Sequence, residues 1–192
     1  MASIVDDQIL ARAQRGDAYA RDQLLEAWLP VVLGWCTRLG GPRGDAAEAA
    51  HAVLLVMVRR MEQVYDAERF AAWLFGITRR TIAQHRRRAW FRRWVPGAEA
   101  DRPDPSAGPA RLYEVSELGG QVQEVLEALP ELEREVLVLC LLEEWTDREV
   151  AGMLEVPVGT VKSRLHRARD RFIRAARARG LTAETAFPRG LP

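Results

Sequence analysis

Three observations predict an all-α protein: two small helical domains joined by a flexible linker, the C-terminal one a helix-turn-helix. Apolar residues recur at helical spacing along most of the chain, while alternating strand patterns are nearly absent. The stretch 95–116 breaks that pattern with Pro96, Pro103, Pro105 and Pro109 beside Gly97 and Gly108. Charges that nearly cancel, to a net +1, are segregated into separate acidic and basic blocks.

Taken in order, Val5–Arg15 and Asp17–Leu29 read as helices parted by Gly16, with Asp17 an N-cap for the second. GGPRG at 40–44 is a loop, after which Asp45 caps a helix to about Val64. A longer helix runs from about Asp66 to Trp94, closing a first domain over 1–94. The Pro-rich stretch 95–116 is a linker; at about 3.3 Å per residue it reaches roughly 70 Å, about two turns of DNA. A compact helical domain over 117–180 and a disordered tail over 181–192 complete the chain.

Several classes are excluded by what the chain lacks. Cys36 and Cys140 sit far apart in apolar runs, without disulfide-framework or zinc-ligand spacing, and read as buried reduced thiols. The N-terminal MASIVDDQIL carries acid before any apolar run, unlike a signal peptide. Ala46–Val58 is too short for a membrane helix and is interrupted by Glu48 and His51, so no membrane insertion and a cytoplasmic location are expected. The three histidines are scattered, and no Gly-rich phosphate loop or nucleophile–base spacing occurs. Neither enzyme, cofactor nor metal site is expected.

The charge blocks point to a polyanion. From Arg69 to Ala98 there is no acid, and Arg79, Arg80, Arg86, Arg87, Arg88, Arg92 and Arg93 are all basic. A second block spans Lys162–Arg179, with Asp170 its lone acid. Two basic surfaces on a flexible, acidic connector suit one nucleic acid gripped at two places.

The second block has internal order. Thr146 and Glu149 have capping-box spacing and open a short helix through Val150, Met153 and Leu154. Glu155 falls where a left-handed turn residue is needed, at a cost of about 1 kcal/mol relative to Gly. Pro157 suits the first turn of the next helix. Val161, Leu165, Ala168 and Phe172 then form one narrow stripe, and Ser163, His166, Arg167 and Asp170 face the other way, with Lys162 on the flank. Short, basic and hydrogen-bonding, this second helix fits a major groove.

LPELEREVL at 129–137, Thr146–Leu154 and PVGTVKSRLHRAR at 157–169 together resemble the C-terminal promoter-reading domain of extracytoplasmic-function (ECF) sigma factors of RNA polymerase. The resemblance implies binding to the upstream minus-thirty-five element. By position, Lys162, Ser163, His166 and Arg167 then meet bases, and Thr160, Arg164 and Arg169 meet phosphates.

FAAWLFGITRR at 70–80 resembles the family's second conserved region, which holds the minus-ten-reading helix. Phe70, Leu74, Ile77 and Thr81 align on one helix face, while Arg79, Arg86, Trp90 and Arg93 gather on the other. Arginines beside an aromatic ring suit melted DNA, with Arg80 and Arg87 adding to that surface. Arg80 and Gln84 stand where relatives carry Asn and Asp. The resemblance further implies polymerase docking through GDAAEAAHAV at 44–53, specifically Asp45, Glu48 and His51. Ala47 and Ala52 stand where relatives have acids, a loss of about 1.5–3 kcal/mol for each charge-assisted bond not made.

The implied partners are core RNA polymerase, promoter DNA and an anti-sigma factor or adaptor as a separate chain. The alternative is a sigma-derived regulator that binds DNA without delivering polymerase. Retention of the whole Arg79–Arg93 surface favours the first reading, since a simple repressor needs no device for melted DNA.

Overall fold

The computed structural model describes residues 7–40, 46–64, 66, 69–94 and 117–181, with side chains described through Arg88 and again from Gly119. The expected linker, the tail beyond Leu181 and Asp45 lie outside the described residues. The chain divides into two compact units, Met1–Arg111 and Leu112–Pro192.

In the first unit, α1 (Asp7–Gln14) ends where Gly16 turns the backbone through φ 94°, a region open to glycine. Asp17 caps the next helix as its position predicts: its Oδ1 accepts from the Ala20 amide at 3.2 Å, and Arg12 Nη2 reaches its Oδ2 at 2.7 Å. That helix, α2, spans Ala18–Gly40, eleven residues past the expected end at Leu29. It continues through Pro30, which forfeits a backbone bond at about 3 kcal/mol or more. The ring lies on the exposed side of the helix, while Trp28, Val32, Trp35, Cys36 and Leu39 are buried around it. Each such side chain gains about 1.5–3 kcal/mol on burial, which outweighs the break.

α3 (Ala46–Arg60) buries Ala49, Ala50, Val53, Leu54 and Met57 and tightens into a 3-10 turn, Met61–Gln63. Gln14 Nε2 donates to the carbonyls of Met61 at 2.8 Å and Val64 at 2.6 Å, tying that turn to α1. α4 (Phe70–Trp94) starts four residues later than expected from Asp66. Phe70, Leu74 and Ile77 are buried as predicted, but the face continues through Phe75, Thr78 and Ile82, leaving Thr81 half-buried. Buried Thr78 satisfies its hydroxyl by donating to the Leu74 carbonyl at 2.9 Å. An aromatic chain joins α2 to α4: Trp35 meets Phe75 edge-on at 5.1 Å, and Trp28 lies 5.5 Å from Phe70, which packs on Trp73 at 5.4 Å.

The second unit comprises α5 (Glu117–Glu127), α6 (Glu131–Leu137), a π-helical turn over Val138–Leu142, α7 (Asp147–Leu154) and α8 (Val158–Arg177). Helix α8 packs against α5, α6 and α7. Val125, Leu126, Val136, Leu137, Val150 and Leu154 close over the α8 stripe. Three charged residues, Glu133, Arg134 and Glu135, are also buried on α6. Composition did not foretell this: charged side chains are rarely buried without partners.

Candidate nucleic-acid interface

The residues 146–177 build a capped helix, a tight turn and a second helix. At α7 the Glu149 amide donates to Thr146 Oγ1 at 3.3 Å, and the Thr146 amide donates to Glu149 Oε2 at 2.7 Å. Both halves of the capping box are therefore made. The Thr146 hydroxyl also donates to that carboxylate, and these bonds, hydroxyl first, hold the Glu149 carboxyl below the usual range.

Helix α7 stops at Glu155, in the left-handed region at φ 54°, ψ 44°. The Val156 amide reaches back to the Ala151 carbonyl at 3.0 Å and the Glu155 amide to that of Gly152 at 3.4 Å, a Schellman closure. Pro157 occupies the N-cap of α8, one position ahead of the first turn where it was expected. Its carbonyl accepts from Thr160 at 2.8 Å and Val161 at 3.3 Å.

Val161, Leu165, Ala168 and Phe172 are all buried, as their spacing predicts, and Ala176 extends the stripe. Burying this side fixes what α8 shows on the other. Lys162, Ser163, His166 and Arg167 are exposed, while Thr160 and Arg164 are half-buried on the flank. Ser163 donates its hydroxyl to the Thr160 carbonyl at 3.0 Å, and His166 Nε2 lies 3.7 Å from Asp170 Oδ2. Arg167 leans toward α6, with Nε 3.9 Å from Glu133 Oε1; Arg171 comes closer, with Nε 3.0 Å from Glu133 Oε2. Sequence reasoning had assigned Arg171 only to the general basic block and had missed Glu133.

Arg169, which the resemblance sets at a phosphate, leans partly inward. It is half-buried, its Nε is enclosed without a hydrogen-bond partner, and its charge acts on Cys140 beside Asp147. At 100° per residue it lies on the α7 side of the helix, which explains the inward lean. Cys140 itself is held at about 12 by burial and by the Asp147 carboxylate, against which Arg169 pulls it down.

In the first unit the expected melted-DNA surface lies along α4. Arg80, Arg87 and Arg88 are exposed, and Arg79 and Arg86 are half-buried. The backbone of Trp90 and Arg93 continues the same helix, but their side chains lie outside the described residues. On α3, His51 is exposed, and Glu48 points its Oε2 to within 4.0 Å of His85 Nδ1 on α4. The expected docking segment and the basic helix are thus joined by a polar contact that the scattered histidines did not suggest. Among the described residues no helix is long and apolar enough to cross a membrane, and no cluster of three metal-ligating side chains forms.

The second unit is a helix-turn-helix whose second helix carries an exposed basic face. Residues 119–172 match the model for Sigma-70 region 4, and residues 24–92 match Sigma-70 region 2. The chain is 32% identical over 177 residues to the ECF RNA polymerase sigma factor ShbA of Streptomyces griseus, covering 85% of this chain and 91% of that one. It is 29% identical over 187 residues to the ECF RNA polymerase sigma-E factor of Escherichia coli, covering 88% and 94%. A match to SigE of Mycolicibacterium smegmatis, 32% identical over 153 residues, covers 79% of this chain and 59% of that relative. The chain belongs to the ECF RNA polymerase sigma factors of the sigma-70 family.

Solved structures agree on the fold. CnrH in complex with the cytosolic domain of CnrY superposes with a TM-score of 0.65 at 24% identity, covering 89% of this chain and 96% of that one. RpoE of Bartonella quintana, in complex with the anti-sigma factor NepR, gives 0.62 at 23% identity, covering 81% and 96%.

Proposed function

We propose that this chain works as an ECF sigma factor: it binds core RNA polymerase and directs promoter recognition and opening at the start of transcription. The observation that carries this is α8, whose buried Val161–Phe172 stripe, entered through the Schellman turn at Glu155, leaves Lys162, Ser163, His166 and Arg167 facing outward. On this reading Lys162 and Arg167 donate to guanine O6 and N7 in the minus-thirty-five element, and Ser163 and His166 supplement them. Thr160 and Arg164 hold phosphates. Arg169 is assigned to the phosphates with them, its Nε enclosed and its charge acting on Cys140.

Helix α4 is assigned to the minus-ten region, with Arg79, Arg80, Arg86, Arg87 and Arg93 along the phosphates and Trp90 against an unpaired base. Asp45, Glu48 and His51 are assigned to polymerase docking. The protein acts by binding and positioning, in the cytoplasm, and is assigned no catalytic residue of its own. An anti-sigma factor or adaptor on a separate chain belongs to the proposal; RpoE, which shares the fold, is held by NepR.

In vitro transcription with purified core polymerase, followed by permanganate footprinting, tests the reading. The expected result is start-site selection with reactive thymines near the minus-ten position. Duplex binding without strand opening in the presence of polymerase would overturn it.

A further inference from the structure

Glu133 stands apart from the acids around it. Its side chain is 11% exposed, yet it faces two arginines that are 52% and 59% exposed on the flank of α8. Arg167 and Arg171 are one helical turn apart, so one carboxylate serves both. The closer contact, 3.0 Å to Arg171 Nε, is ionic without an aligned hydrogen bond. Among the described residues Glu133 is the acid set against both arginines, a negative charge fixed on α6.

The position of this pair bears on DNA recognition. An arginine on the flank of a groove-binding helix adds a phosphate contact on any sequence, which raises affinity without discrimination. A buried carboxylate that already engages the guanidinium competes with the phosphate for it. We propose that Glu133 is a specificity-determining positioning residue: it holds Arg171 off the phosphate backbone and sets the direction from which Arg167 approaches the bases. The inference rests on the DNA-binding role given above for α8, and its test separates the two.

The full chain is titrated with a mixed-sequence DNA duplex across a salt series. Released from Glu133, Arg171 gains a phosphate, so Glu133→Gln steepens the slope of log K against log salt by about 0.9. Arg171→Gln alone leaves the wild-type slope unchanged, and Glu133→Gln combined with Arg171→Gln restores it. A purely packing role for Glu133 would change stability and leave these slopes alone. The proposal is overturned if folded Glu133→Gln keeps the wild-type slope, or if Arg171→Gln alone makes it shallower by about 0.9, which would place Arg171 already on a phosphate. Should Glu133→Gln fail to fold, by loss of its helical circular dichroism, the Arg171→Gln measurement still decides. A wild-type chain with no salt-dependent binding defeats the DNA-binding role itself.

Discussion

Arg134 Nη2 lies 3.2 Å from the carbonyl oxygen of Leu129 and 3.5 Å from that of Glu127, where α5 ends and α6 begins. The arginine is only 3% exposed, so its charge is spent on backbone groups that a helix C-terminus otherwise leaves unpaired. Replacing Arg134 with Ala removes two charge-assisted bonds, at about 1.5 kcal/mol each, and strands buried carbonyls. The expected cost is about 3 kcal/mol. Hydrogen exchange on the full chain is expected to show lost protection in α5–α8 and unchanged protection in α1–α4. Uniform loss across both units would contradict the assignment.

The turn between α7 and α8 offers the opposite sign. Glu155 holds φ 54° with a Cβ that clashes in the left-handed region, and it is exposed. Glu155→Gly is expected to stabilise the chain by about 1 kcal/mol, and Glu155→Ala to give no such gain. Urea midpoints of the three proteins check this; equal midpoints for the Gly and Ala variants would refute it.

The helix-turn-helix was legible because each of its signals is local. Thr146 and Glu149 spell the capping box, and the Val161–Phe172 spacing dictates one buried stripe; the misfit at Glu155 follows from counting between them. What stayed hidden depends on contacts between elements. Pro30 reads as a stop in isolation and is overruled by Trp28, Val32 and Trp35 packing around it. The burial of Glu133, Arg134 and Glu135 is set by α8 and the end of α5. The enclosure of Arg169 Nε was hidden in the same way, and the buried face of α4 takes in Phe75, Thr78 and Ile82 where α2 and α3 pack on it.

The α3 surface suggests a gain of function. Ala47 and Ala52 are half-buried, and Glu48 has His85 within 4.0 Å. If α3 docks on a basic partner surface, Ala47→Glu and Ala52→Glu add carboxylates at the two positions where the resemblance to the family implies acids. Affinity for core polymerase, measured by fluorescence anisotropy, is expected to rise about tenfold for each new charge-assisted bond of roughly 1.5 kcal/mol. No change in affinity would remove this segment from the docking surface.

Neither thiol is poised for chemistry. Burial pushes Cys36 to about 12, and burial together with the Asp147 carboxylate does the same for Cys140. The thiolate is the reactive form, so little of either reacts at neutral pH. A disulfide reagent is expected to label the native chain slowly and both cysteines rapidly after unfolding in denaturant. Fast labelling of Cys140 in the native chain would show that the contact with Asp147 opens freely.

Acid should act on the helix-turn-helix through Glu149. Its carboxyl is held below the usual range by the Thr146 hydroxyl and then the Thr146 amide. A carboxyl lowered on folding stabilises the native state above its unfolded value, and that contribution is lost as pH falls through the folded value. The Thr146 oxygen also accepts from the Glu149 amide, a bond that does not titrate. Thr146→Ala is therefore expected to cost about 1 kcal/mol at neutral pH, with the gap to wild type narrowing but not closing as the carboxylate is protonated. Urea unfolding of both proteins at stepped pH measures that gap; one that stayed constant through the carboxylate range would mean the Glu149 side chain contributes nothing to the cap.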